Sequence, residues 1–182
     1  MQPSTEMIKA LREFASGDPV LFALSDLQAL LPVHTENAFK SIVSRLVKRG
    51  ELDRICRGIY TLPGHAARLA DPLARVAARL RAHQFNYISL ESALSDAGVI
   101  SQVPVNRLTL MSSGRTSIIH CGVHGTVEFV HTRKNAGEVA EQLVYDPVLK
   151  LWRASVALAL RDMRDTRRDT GLIDKEAADE FV

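Results

Sequence analysis

Cysteine and aromatic residues are scarce in this chain of 182 residues, which contains two cysteines and one tryptophan. Neither Cys56 nor Cys121 belongs to a CxxC pair, which argues against a disulfide framework and against a zinc ribbon. We expect two reduced, structural thiols in a cytoplasmic protein. No secretory signal is present and no apolar run reaches the length of a membrane helix, so membrane insertion and export are not predicted.

Motifs of nucleotide binding and covalent catalysis are also missing. The sequence has no P-loop, no GxGxxG and no paired carboxylate motif. His120, Cys121, His124 and His131 fall within twelve positions. However, His120 and Cys121 point to opposite faces of a strand and so do not readily share a metal ion. A Cys121 nucleophile has no recognisable Asn or Asp to orient its histidine. We expect no catalytic site, no metal and no cofactor.

Positive charge is unevenly distributed, although the net charge is only +2. Positions 34 to 68 contain seven Lys or Arg residues and three acids, whereas positions 71 to 182 contain fourteen of each. With 46% hydrophobic and 24% charged residues, the composition is otherwise that of an ordinary globular protein. The local positive excess indicates that the N-terminal part contacts a polyanion.

The sequence HTENAFKSIVSRLVKRG predicts an amphipathic helix. Thr35 suits the N-cap, Glu36 the first turn and Gly50 the position after the C-cap. The predicted apolar face consists of Ala38, Phe39, Ile42, Val43, Leu46 and Val47. The opposite face consists of Asn37, Lys40, Ser41, Ser44 and Lys48, with Arg45 at its edge. This polar face is rich in donors and has no acid beyond Glu36, which favours a negatively charged partner.

A basic hairpin is predicted directly after this helix. Leu52–Arg57 and Ile59–Leu62 are two short β-type runs that meet at a turn. Gly58 supplies the backbone freedom that a tight turn needs. Arg54 and Arg57 then lie on a hairpin beside the helix, as a DNA-binding wing carries its phosphate contacts.

The residues before position 34 complete the order of a winged helix-turn-helix. STEMIKALREFASG predicts a helix that ends at Gly17 and Pro19. Its predicted inward residues are Met7, Ile8, Leu11, Phe14 and Ala15. Val20–Leu24 predicts a short strand, and Ser25 is the expected N-cap of a brief helix that ends at Pro32. The expected inward residues of that helix are Leu27, Leu30 and Leu31. Helix, strand, helix, turn, helix and hairpin is the winged-helix order.

Positions 71 to 182 predict a second domain, so the fold class is α+β: a winged helix-turn-helix followed by a small mixed domain. The candidate strands are 107–111, 116–120 and 126–132, and they predict a mostly antiparallel sheet. Asp71, as an acidic N-cap before Pro72, predicts one helix, and 89–97 predicts another. Leu73, Val76, Ala77 and Leu80 are expected to face inward on the first of them.

The last part of the chain predicts mainly helix. Positions 137–144 predict a short helical turn, and Asp146-Pro147 predicts the start of a longer helix that reaches about Arg168. The expected inward residues of that helix are Val148, Leu149, Trp152, Val156, Leu160 and Met163. Its final stretch, RDMRDTRRD, predicts an exposed surface of salt bridges, with a docking face as the alternative. The acidic segment IDKEAADEFV predicts one loose helix or a frayed tail.

The stretch RLVKRGELDRICRGIYTLP resembles the N-terminal domain of AbiEi-type antitoxins. YISLESALSDAGVISQVP and LTLMSSG resemble the opening of that family's C-terminal domain. The resemblance implies that residues 1–64 bind operator DNA and repress their own operon. It also implies that residues 71–182 counteract a nucleotidyltransferase-like toxin, which makes a toxin protein the second partner.

The predicted DNA-binding residues are Thr35, Asn37, Lys40, Ser41, Ser44, Arg45, Lys48, Arg54 and Arg57. Asn37 suits an adenine edge and Lys40 or Arg45 a guanine, while the remaining donors suit phosphates. Two alternatives remain open: a regulator whose second domain senses an effector, and a winged-helix adaptor that binds protein without DNA. The oligomeric state, the operator sequence and the toxin remain open as well.

Overall fold

The computed structural model describes residues 2–16, 19–32, 34–101 and 105–181, and the chain divides into two compact units after Pro72. In the first unit the helices are α1 (Pro3–Phe14), α2 (Leu24–Ala29) and α3 (Glu36–Lys48). Its strands are β1 (Leu21–Ala23), β2 (Asp53–Cys56) and β3 (Ile59–Thr61). They form an antiparallel sheet in the order β1-β3-β2. This is the predicted order of elements; Gly17, the predicted end of the first helix, lies outside the described residues.

A single apolar core holds the first unit together. From α1 and the residue that follows it, the core contains Met7, Ile8, Leu11 and Ala15. From α3 it contains Phe39, Ile42, Val43 and Leu46. The remaining members lie between α1 and α3 or after α3: Phe22, Leu27, Leu31, Leu52, Tyr60 and Leu62. Of the residues predicted to face inward on α1 and α2, two lie outside this core. Phe14 is 75% exposed because α1 ends there, and its ring centroid lies 6.1 Å from that of Phe22. Leu30 is 40% exposed because α2 ends one residue earlier.

The start of α2 also differs from the prediction. Its N-cap is Ala23, whose backbone N–H donates to the carboxylate of Asp26 over 2.7 Å. Ser25 is therefore a helical residue and not the cap. An acid at the third helical position can satisfy the N-cap backbone whatever side chain the cap carries, which is why the serine misled the prediction.

The second unit is built on a mixed sheet. Its helices are α4 (Pro72–Leu80), α5 (Leu90–Asp96), α6 (Ala136–Val139), α7 (Val156–Asp165) and α8 (Lys175–Asp179). Its strands are β4 (Asn86–Ile88), β5 (Arg107–Ser112), β6 (Ser117–His120), β7 (Thr126–His131), β8 (Leu143–Asp146) and β9 (Leu151–Ala154), in the order β6-β7-β5-β4-β9-β8. The pairs β5–β7 and β4–β9 are parallel and the other three are antiparallel. The α+β class is confirmed, and the sheet is more mixed than predicted.

Around α4, Leu73, Val76 and Ala77 are buried as predicted, and Leu80 is half-buried. Asp71, the predicted N-cap of α4, has a φ of 47°, and its role as the cap stays a prediction. No helix among the described residues is long and apolar enough to cross a bilayer.

The predicted long helix from Asp146 to Arg168 is wrong in its first half. That stretch forms the hairpin of β8 and β9, and the helix α7 begins only after Ser155, whose hydroxyl accepts from the Leu158 N–H. The carboxylate of Asp146 accepts from the N–H groups of Val148 and Leu149. These hydrogen bonds stabilise the turn of the hairpin, although the same bonds could have capped the start of a helix. Trp152 and Val148 are consequently exposed, at 41% and 65%.

The stretch RDMRDTRRD is also not the fully exposed surface that was predicted. Asp162 is completely buried, and its carboxylate binds Ser89 and Lys134. Arg168 is half-buried between the carboxylates of Glu91 and Glu128. The alternating charges of this stretch therefore form ion pairs inside the unit as well as at its surface.

Candidate nucleic-acid interface

The limits of α3 are fixed by local chemistry at both ends. The hydroxyl of Thr35 accepts from the Ala38 N–H over 3.4 Å, as an N-cap does. At the other end Gly50 has a φ of +70°. Its N–H donates to the Val47 carbonyl and the next N–H, of Glu51, donates to the Leu46 carbonyl, both over 3.0 Å. These two bonds are those of a Schellman motif, which requires the glycine conformation. The predicted caps are confirmed.

One face of α3 lies in the core and the other is open. Phe39, Ile42, Val43 and Leu46 are buried, and Val47 is half-buried. Ala38, predicted inward, is exposed. It lies at the rim of a groove between α3 and the start of α1, whose other lining residues include Pro3, Ser4 and His34. Because a methyl side chain is tolerated both in the core and at the surface, the helical period alone wrongly predicted that Ala38 is buried.

The predicted DNA-contacting face of α3 is exposed in full. Thr35, Asn37, Lys40, Ser41, Ser44, Arg45 and Lys48 are all exposed. Five of them, Asn37, Lys40, Ser41, Ser44 and Arg45, line one shallow surface depression, which we call the α3 depression. Lys48 lies outside it, one turn from Ser44 toward the C-terminal end of the helix.

Several of these side chains are held along the helix. The Ser41 hydroxyl donates to the Asn37 carbonyl over 2.9 Å, and the Arg45 Nε donates to the Ser41 carbonyl over 3.3 Å. The Lys40 ammonium donates to Oε1 of Glu36. That hydrogen bond, and then the charge of Lys40, lower the pKa of Glu36. Sequence reasoning missed this pair, although its i,i+4 spacing is the usual signal.

The hairpin after α3 carries the two predicted wing arginines on its surface. Cys56 pairs with Ile59 across a tight turn in which Gly58 has a φ of +88°. Arg54 and Arg57 are exposed, and the Arg54 Nε donates to the Cys56 carbonyl over 3.3 Å. A register shift between Arg54 and Cys56 marks a bulge in β2. The predicted hairpin is confirmed, with strands slightly shorter than expected.

The charge of this surface is mostly uncompensated. Among the described residues, Arg45, Lys48, Arg54 and Arg57 have no carboxylate partner, and Lys40 alone of the predicted basic contacts has one. Cations that are exposed and unpaired produce a positive potential that attracts a polyanion.

The His and Cys residues of the second unit are dispersed. Cys121 is fully buried, whereas His120 and His131 are exposed. His131 Nδ1 lies 3.0 Å from the Gly114 carbonyl, and His120 Nδ1 lies 3.4 Å from the Thr126 hydroxyl. In the part of the chain that the structure describes, no group of three or more His, Cys, Asp or Glu residues could hold a metal ion.

Comparison with known families adds one match to this geometry. Residues 9–63 match the family model described as a transcriptional regulator, AbiEi antitoxin. This AbiEi-like segment runs from within α1 through β3 and includes α3 and the basic hairpin. The resemblance predicted from the helix and hairpin sequence is thus confirmed over this segment, while the later stretches that resemble the family lie outside it.

The fold is similar to that of a solved structure. The crystal structure of the RV2827C protein from Mycobacterium tuberculosis matches with a TM-score of 0.50 and 21% sequence identity, over 97% of this chain and 58% of that one. At this identity the likeness concerns the fold alone, and the present chain spans little more than half of that protein's length. None of the curated proteins compared with the chain matches it.

Proposed function

We propose that the AbiEi-like segment binds double-stranded DNA and that the chain is a transcriptional regulator and the antitoxin of a toxin–antitoxin pair. The observation that carries the DNA-binding part is the exposed polar face of α3. It lines the α3 depression with donors, and most of its cations have no carboxylate partner among the described residues. A regulator that represses its own operon needs such a surface because phosphates supply most of the binding free energy.

In this proposal α3 enters the major groove with its N-terminal half. Asn37 pairs with an adenine edge, and Lys40 or Arg45 pairs with guanine. The groups that bind phosphates are Thr35, Ser41, Ser44 and Lys48 on or beside the helix and Arg54 and Arg57 on the hairpin. The Thr35 hydroxyl uses its oxygen as an acceptor for the helix cap, so its own hydrogen remains available to a phosphate.

The antitoxin role rests on the description of the matched family, and the class of toxin rests on the resemblance found in the sequence. The second unit, residues 71–182 in the predicted division, would counteract a nucleotidyltransferase-like toxin encoded beside this gene. Co-expression of the full chain with the product of the neighbouring gene tests it. Restored growth supports an antitoxin, and persistent arrest with soluble, folded protein contradicts it.

The DNA-binding part is tested by a Lys40→Ala/Arg45→Ala double variant. Each base contact is worth about 1–3 kcal/mol, so we expect the affinity for promoter DNA of its own operon to fall at least tenfold without a change in melting temperature. The matched control is Arg164→Ala/Lys175→Ala, which removes the same charge from exposed positions of the second unit. Equal losses in both variants, or no loss in the first, would place the reading surface elsewhere.

The phosphate-binding groups are tested by salt dependence. In a Lys48→Ala/Arg54→Ala/Arg57→Ala variant, the slope of log affinity against log salt should decrease by roughly one for each phosphate that the variant no longer neutralises. Binding by the unaltered chain that is independent of salt, or undetectable on any duplex at low salt, would contradict the proposed function.

A further inference from the structure

The exposed polar face of α3 contains one carboxylate, and its position is unexpected for a DNA-binding surface. Glu36 is the first residue of α3, and its side chain is 69% exposed. A negative charge at this end of a helix that approaches DNA is repelled by phosphates. An acid in this place is useful to binding only where it meets a hydrogen-bond donor on the DNA. Cytosine N4 and adenine N6 are both donors in the major groove, but the adenine donor lies beside the N7 acceptor and so suits an amide, whereas cytosine N4 suits a carboxylate.

Lys40 lies one turn further along the helix, and its ammonium donates to the Glu36 carboxylate. The Lys40 side chain is 53% exposed, so both heads of the pair reach solvent. Lys40 also lines the α3 depression with Asn37 and Ser41. The surface therefore presents a negatively charged acceptor and a positively charged donor directly side by side.

A C·G base pair presents the complementary arrangement in the major groove. Cytosine N4–H₂ is a donor, and it lies beside the O6 acceptor of guanine, with the N7 acceptor next to O6. We propose that Glu36 and Lys40 act as one unit that reads a single C·G pair, with Glu36 accepting from cytosine N4 and Lys40 donating to guanine O6 and N7. This inference rests on the proposed entry of α3 into the major groove.

An A·T pair fits this unit less well. Thymine places a C5-methyl group beside its single O4 acceptor, whereas guanine offers two adjacent acceptors to an ammonium.

The ion pair also explains how the acid is tolerated. In the free protein Lys40 neutralises Glu36, and on the DNA each partner exchanges the other for a base edge. The competing explanation is an ordinary i,i+4 pair that stabilises the helix and reads nothing.

The experiment is selection from duplexes with a randomised central segment, using the full chain and its Glu36→Gln and Lys40→Arg variants. The unaltered chain should enrich a site with a fixed C·G pair. Glu36→Gln should lower the preference for C·G at that position by roughly tenfold, leaving other positions unchanged. It should also bind random duplex more tightly, because a repulsive charge is gone. Lys40→Arg should keep the C·G preference, since arginine also binds guanine O6 and N7.

The matched control is Glu13→Gln, which breaks a second i,i+4 ion pair among the described residues of this unit, that of Lys9 and Glu13 on α1. Circular dichroism verifies that each variant is folded. The inference is overturned if Glu36→Gln retains the full C·G preference, or if the unaltered chain enriches a site that has fixed pairs but no fixed C·G pair, and in both cases the proposed function stands. If the unaltered chain binds no duplex at low salt, the proposed function and this inference fail together.

Discussion

The hydroxyl of Ser89 donates to the carboxylate of Asp162 over 2.7 Å, deep inside the second unit and 73 residues apart in the chain. The other carboxylate oxygen accepts from the Lys134 ammonium over 2.6 Å, and Lys134 also binds the exposed Asp165. Asp162 has no exposed surface. A buried carboxylate is tolerated only with such partners, so this cluster ties α7 to the start of α5 and to the segment after β7.

Removal of the buried carboxylate should therefore destabilise the second unit strongly. We expect Asp162→Ala to lower the free energy of unfolding by about 3–5 kcal/mol, because Lys134 and Ser89 are left without it. The matched control is Asp165→Ala, which removes the exposed partner of the same lysine and should cost less than about 1 kcal/mol. Urea titration followed by the fluorescence of Trp152, the single tryptophan, reports on this unit. Similar losses of stability in both variants would contradict the conclusion that the buried carboxylate of Asp162 is the stabilising member of this cluster.

The stability of the second unit should also depend on pH through Glu128. Burial acts to raise the pKa of Glu128, but hydrogen bonds from Arg168 and Arg107 together hold it below the usual 4.5. Because the folded-state pKa is the lower one, the stabilisation is complete above pH 4.5 and is lost as the pH falls through the folded-state pKa.

Glu128→Gln should consequently destabilise the protein at neutral pH by about 1.5–3 kcal/mol, the range for hydrogen bonds to charged groups. The difference from the unaltered chain should shrink as the pH falls below 4.5. Glu141→Gln, at an exposed position, serves as the control and should change neither the stability at neutral pH nor its dependence on pH. A constant difference across the acid range would show that altered packing, and not the charge, is responsible.

Tyr87 should make the same unit sensitive to alkali. Burial, and then the negative charge of Asp162, raise the pKa of Tyr87 above its usual 10.0. The folded state keeps the phenolic proton while the unfolded chain releases it, so stability falls as the pH rises above 10.0. Tyr87→Phe should abolish this component of alkaline destabilisation, whereas Tyr145→Phe, at an exposed position, should leave it intact. Unfolding measured at neutral and alkaline pH compares the two; identical alkaline losses in both would disprove the role of Tyr87.

Two capping residues near the hairpin of β8 and β9 give a further test. The Asp146 carboxylate accepts from the N–H groups of Val148 and Leu149 over 2.8 and 2.9 Å, and the Ser155 hydroxyl accepts from Leu158. Asp146→Ala should cost about 0.5–1.5 kcal/mol for each hydrogen bond removed, without a loss of helix by circular dichroism. Ser155→Ala should cost about 1 kcal/mol and fray the start of α7. A loss of helix on Asp146→Ala would mean that a helix begins there.

The first unit could be predicted from sequence because its signals are local. The Thr35 cap, the Gly50 end and the turn at Gly58 each depend on residues within one or two turns, and the helical period identified the exposed face of α3. The errors have the same origin. Asp146 offers identical capping chemistry to a helix and to a hairpin turn.

The interior of the second unit could not be predicted in this way. The burial of Asp162 depends on Ser89 and Lys134, which are 73 and 28 residues distant in sequence. The parallel pairing of β5 with β7 likewise depends on strand order and not on local pattern. On α3, the i,i+4 spacing of Glu36 and Lys40 is a local signal for their ion pair, but an acid in the first turn also suits the helix dipole without any partner.

The hydrogen bonds of Ser41 and Arg45 to the α3 backbone have a consequence for the kinetics of recognition. An arginine free in solvent loses about 2 kcal/mol of rotamer entropy when it is immobilised. Arg45 is already restrained by the Ser41 carbonyl, and Ser41 by the Asn37 carbonyl, so part of this ordering is complete before any partner arrives. Such restraint chiefly lengthens the residence time of a complex, since encounter is governed by long-range charge and dissociation by the fit of the ordered surface.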